Sequence, residues 1–213
     1  MKLSKKILAA FLAALMAISM MPFSAITAFA AKAADKTGNC GANGDNVTYR
    51  MQDTNNDGKY DKLTLSGSGA MADYADNYGG NRPWYVQGST IYYYYLNTIN
   101  IGDGITYIGE NAFRALREVT NVTIPNTVTE IGNYAFADEV KLESINIPTN
   151  LTTIGKYALS FCQKLPNITL PSSVSSIGES AFCGCSEFTS FSVPAGVETL
   201  PQYIFSSCTS LEA

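Results

Sequence analysis

The amino-acid sequence predicts a repeat solenoid, in which each coil is a β-strand plus a short helix, 3₁₀ or irregular segment, preceded by a small β-rich N-terminal cap. Three observations predict it. Ile101, Ile124, Ile147, Leu170 and Val193 recur every 23 residues, and Pro125, Pro148, Pro171 and Pro194 directly follow the last four. Gly109, Gly132, Gly155 and Gly178 keep that interval, as do Ala112, Ala135, Ala158 and Ala181, each followed by Phe or Leu. Leu96, Val119, Leu142, Leu165, Phe188 and Leu211 open successive units. The array therefore occupies residues 96–213 as five 23-residue units and a truncated sixth.

The elements follow in chain order. Lys2, Lys5 and Lys6 precede an apolar stretch from Ile7 to Met21, and Ala28-Phe29-Ala30 has the small-x-small form of a signal-peptidase site. That is the anatomy of a secretory signal peptide over residues 1–30. The apolar stretch is shorter than the roughly twenty residues a membrane span needs. The expected mature chain is thus exported, without a transmembrane span, and in a disulfide-permitting compartment. Removing the leader takes three lysines and no acid, moving the net charge from -4 to -7. An acidic chain carries no basic nucleic-acid footprint. The absence of histidine removes Ser-His-Asp and Cys-His catalysis and every His-ligated metal. No two acids stand out as a spaced pair on a cleft scaffold, so the chain is expected not to be an enzyme.

Residues 31–95 lack the repeat and form the expected cap. Val47–Met51 and Leu63–Leu65 alternate with period two and predict a hairpin. Between them, Asp53, Asn55, Asp57 and Asp61 match the first part of a calcium loop, with Gly58 at its sharp turn. Thr64 stands where the bidentate glutamate belongs. Two readings follow: a Ca²⁺ site, or a polar loop whose Asn, Asp and Gly serve turn chemistry. Trp84, Tyr85 and part of Ile91–Tyr95 are expected to cover the first coil's open face. The rival for Tyr92–Tyr95 is an exposed aromatic patch.

Within a unit, Val122-Thr123-Ile124-Pro125 alternates and then stops at a residue that cannot donate to a ladder. Val128 and Ile131 return inward. The glycine after Ile131 suits a turn with positive φ, and Tyr134-Ala135-Phe136 begins a tight helical or 3₁₀ segment. Cys162, Cys185 and Cys208 share one repeat position with Leu116. They predict either a ladder of small buried groups or one disulfide, since coils about 4.8 Å apart lie within bridging range.

Binding candidates are columns of outward residues. On the strands these are Asn121, Asn167 and their equivalents, and Thr123 and Asn146 with theirs. After the turn glycine come Tyr134, Tyr157 and Tyr203. Tyrosines give large contact area at low entropy cost. The plain alternatives are a solvated sheet face and a shield over the coil.

The pattern I-x-I-P-x-x-V-x-x-I-G-x-x-A-F with a later C-x-x-L resembles the BspA-like leucine-rich repeat family of bacterial surface proteins, across residues 96–211. Cys40-Gly41, Gly67-Ser68-Gly69-Ala70-Met71 and Pro83-Trp84 resemble the region that precedes such repeats. Pro201 and Ile204 depart from the pattern in the final unit. The resemblance implies a right-handed leucine-rich repeat solenoid, secreted or at the cell surface, that binds or adheres to an extracellular protein or glycan without catalysis. Its rival is a targeting or structural part of a larger cell-wall-associated enzyme or surface-layer protein. Leu211 opens a sixth unit just before the sequence stops, so a parent chain is expected to continue with a similar strand.

Overall fold

The computed structural model describes residues 32–75, 81–84 and 95–212. The leader at residues 1–30, and Tyr85 and residues 91–94 of the cap, lie outside the described residues.

Before the array come β1 (Lys36–Gly41), β2 (Gly44–Gln52), β3 (Lys62–Gly67) and β4 (Gly69–Ala70). The first three are successive antiparallel neighbours, with Tyr49 opposite Leu65 and Met51 opposite Leu63. The first three coils then supply short strands to two sheets, and the fourth supplies one to the second sheet alone. The first sheet continues through β5 (Thr98–Ile101), β7 (Asn121–Thr123) and β9 (Ser144–Ile145). The second runs through β6 (Ile105–Ile108), β8 (Glu130–Ile131), β10 (Thr153–Ile154) and β11 (Ser176–Ile177). Pairing is parallel, and partners are one repeat apart: Thr98 with Asn121 with Ser144, and Tyr107 with Glu130 with Thr153. Strand β3 pairs in parallel with β5, so residues 36–67 extend the first sheet instead of forming a separate layer.

The period of two sets what is buried. Ile99, Val122 and Ile145 face inward from the first sheet, while Ile108, Ile131 and Ile154 face them from the second. Phe113 and Phe136 fill the middle, stacked 5.2 Å apart at 19°.

The coil's third side corrects two expectations. The Tyr-Ala-Phe segment is a run of turns, not a helix or 3₁₀ segment. Positive φ falls at Tyr134 (55°) and Asp138 (65°), and at Tyr157 (54°) and Phe161 (58°), not at Gly132 or Gly155. These left-handed residues turn alternate N–H groups towards the next coil. Tyr134, Phe136 and Asp138 donate to the carbonyls of Lys156, Ala158 and Ser160 at 2.8–2.9 Å. The third side is therefore also a ladder, whereas a helix would spend those donors on itself. The glycine column answers a different demand, close approach. A Cβ on Gly155 would lie 2.6 Å from the Asn133 nitrogen.

Both sheets thin towards the end of the array. Thr120 and Glu143 donate to the carbonyls one repeat back, Asn97 and Thr120. Pro166 stands next in that column and has no N–H to give. The first sheet stops at β9.

Candidate functional site

Tyr134 and Tyr157 are set on the turn ladder at the same left-handed backbone position. One-repeat stacking brings their rings face to face, 4.8 Å apart and 4° from parallel. The Arg114 guanidinium lies 4.9 Å from the Tyr134 ring centre and pairs with Asp138 at 3.5 Å. A cation and two aromatic rings thus form a continuous half-buried strip across three coils. Such contacts favour a fixed geometry before any ligand arrives. Tyr203 is not part of it. Buried Ser180 occupies the intervening coil, and Tyr203 is 57% exposed.

The polar sheet face divides. Asn121 is exposed and its side-chain amide donates to its neighbour Thr120, and Thr123 is exposed beside it. Asn146 spans coils instead: its Oδ1 accepts from the Ile124 N–H at 2.7 Å and its Nδ2 donates to the Ile124 carbonyl at 2.6 Å. Asn167 likewise accepts from the N–H groups of Thr189 and Ser190 and donates to both hydroxyls. These two side chains join coils where main-chain pairing is missing, so their amides are engaged internally. A shallow depression of about 360 Å³ opens on the same face over β1–β3, among Thr37, Asn39, Thr48, Arg50, Thr64 and Ser66.

The acidic loop turns its carboxylates onto its own backbone. Asp53 accepts from the N–H groups of Ala33, Asp57 and Gly58 at 2.8–3.1 Å. Asp61 accepts from the Thr54 N–H and hydroxyl. Desolvation pushes the Asp53 carboxyl up, but the backbone N–H groups around it outweigh that and hold it below its ordinary value. Asn55 and Asp57 engage each other and nearby N–H groups, at the exposed rim. Among the described residues no three Asp, Glu, Cys or His side chains converge as a metal cage.

The thiols are free and form a ladder. The Sγ–H groups of Cys162, Cys185 and Cys208 donate to the carbonyls of Phe136, Leu159 and Phe182 at 3.3, 3.2 and 3.1 Å. Burial raises all three above the ordinary thiol value, which disfavours the nucleophilic thiolate. Cys40, in β1, is pushed up by burial to about 12.

Sequence reasoning missed two buried ionisable residues, Arg82 and Glu139. Glu139 occupies the cysteine column, between Leu116 and Cys162. Carrying the 23-residue register through every member of that column was the signal that exposes it.

Stacked parallel coils, aligned outward columns and an apolar interior define a solenoid repeat protein whose side chains vary while its frame repeats. The chain belongs to the BspA type leucine rich repeat family, whose model matches residues 86–212 in six copies. It is similar to the Treponema pallidum leucine rich repeat protein TpLRR, at 27% identity over 71% of this chain and 73% of that one, with a TM-score of 0.54. A leucine-rich repeat protein from Bacteroides ovatus is 30% identical over 79% of this chain, with a TM-score of 0.50. The match spans 39% of the Bacteroides protein's length. No curated protein matches. Among the described residues no helix is long and apolar enough to cross a membrane.

Proposed function

We propose that the chain is a non-catalytic binding module, exported by its leader to the bacterial surface, that engages an extracellular protein or glycan through its repeat-built face. The observation that carries this reading is the Arg114–Tyr134–Tyr157 strip. Three side chains from successive coils are held in one geometry, which lowers the entropy lost on contact. Exposed Asn121 and Thr123 supply neutral hydrogen-bonding groups on the sheet face. Membership of a repeat family that is generally non-enzymatic supports the same reading.

The test is an array of glycans and matrix proteins probed with the wild type and with Tyr134→Ala/Tyr157→Ala. Loss of two contact aromatics weakens binding by roughly thirtyfold, in line with about 2 kcal/mol for a hot spot. A double variant that folds and binds the same targets equally well rejects the strip as the contact surface.

A further inference from the structure

Glu139 belongs to a column that reads Leu116, Glu139, Cys162, Cys185, Cys208. Each of the three cysteines sends its S–H to the carbonyl 26 residues earlier. The same offset from Glu139 falls on Phe113. Glu139 is wholly buried. Its Oε1 accepts from the Leu116 N–H at 2.8 Å, while Oε2 is buried and, among the described residues, has no hydrogen-bond partner. A carboxylate offers only lone pairs at a position where its three successors offer a proton. A carboxylic acid offers an O–H there.

We propose that Glu139 is carried in the folded chain as a neutral acid, supplying the donor that cysteine supplies in the next three coils, and that its ionisation loosens the start of the array. The groups acting on it come from every side. Arg82, from the segment before the array, favours the ionised form and Asp138 beside it opposes it, while Cys162 in the next coil faces it as a neutral thiol. Arg82 is itself engaged by the carbonyls of Asn111 and Arg114. Desolvation is the largest influence and holds the carboxyl well above its ordinary value, against the smaller pull of the Leu116 N–H and Arg82. The raised value fixes the sign. The folded state binds the proton more tightly than the unfolded one. The stabilisation is complete below the ordinary carboxyl range and is lost as pH rises through the raised value. Ionisation acts where Arg82 and Trp84 dock on the first coil, so loosening begins there.

The experiment follows melting temperature from about pH 4 to about pH 9 for the wild type, Glu139→Gln and Glu139→Cys. The wild type is expected to lose about 2–4 °C or more relative to both variants as pH rises. The infrared difference between wild type and Glu139→Gln at neutral pH should show the carbonyl stretch of a protonated carboxyl. Glu139→Cys installs the residue this position already carries in three coils, so the test survives if Glu139→Gln does not fold. Parallel melting curves across the pH range with no protonated-carboxyl band would overturn the proposal and make Glu139 a carboxylate paired with Arg82.

Discussion

The first and last coils share a backbone plan and differ in how their edges are met. At the start, the carbonyls of Glu110, Ala112 and Arg114 occupy the places where later coils receive main-chain N–H groups from the coil before. They accept instead from the Tyr74 N–H at 3.0 Å, the Trp84 indole N–H at 2.9 Å and the Arg82 guanidinium. Trp84 also stacks on Phe113 at 5.3 Å and 18°, continuing the aromatic column one rung outward. At the end, the N–H groups of Tyr203, Phe205 and Ser207 occupy the donor positions, and among the described residues no carbonyl meets them. Leu200 is 44% exposed, where its equivalent Ile177 is 9% exposed. The lesson is that repeat register alone does not stabilise a coil. Each coil depends on the chemistry of the layer against it.

Substitutions sharpen this contrast. Trp84→Ala removes a wholly buried ring, its stacking and a carbonyl's donor, and is expected to lower stability by about 3–5 kcal/mol. Phe205→Ala, in the half-covered last coil, should cost well under half as much. Urea unfolding of both variants measures the difference, and equal losses would erase the asymmetry. Next in size, Gly155→Ala forces a Cβ to 2.6 Å from the Asn133 nitrogen and should cost about 1–3 kcal/mol. A neutral Gly155→Ala would mean that the coils separate easily. Asn167→Ala removes the amide that joins the fourth and fifth coils and should cost about 1–2 kcal/mol in thermal melts. It should leave ligand binding intact, because that amide is spent inside the chain. Smallest is calcium. With the carboxylates of Asp53 and Asp61 already satisfied by backbone and hydroxyl donors, millimolar calcium should leave the melting temperature unchanged. A rise would favour the cation reading of the loop.

The sequence made the frame legible because burial repeats with it. Ile124 and Ile131 alternate with polar neighbours, and their equivalents do the same 23 residues on. Backbone conformation on the third side was not legible. Nothing in the side chain of Tyr134 announces a left-handed φ, since tyrosine has no special tolerance for it. The demand comes from the next coil's carbonyls, which only stacking reveals. Asn146 and Asn167 were equally ambiguous. An asparagine on a strand can face solvent or join its coil to a neighbour, and only the stacked coil, Ile124 for Asn146 and Thr189 with Ser190 for Asn167, decides which. Tyr134 and Tyr157 were brought together because they occupy adjacent coils, whereas Tyr203 was cut off by the buried Ser180 between.

Amide hydrogen exchange, resolved to single residues, tests the stacking account most directly. Protection should be high at Phe113, Phe136 and Leu159, whose N–H groups enter the next coil, and fall to its lowest at Tyr203, Phe205 and Ser207. Uniform protection along the whole column, or rapid exchange at Phe136, would contradict coils that hold one another by a continuous ladder.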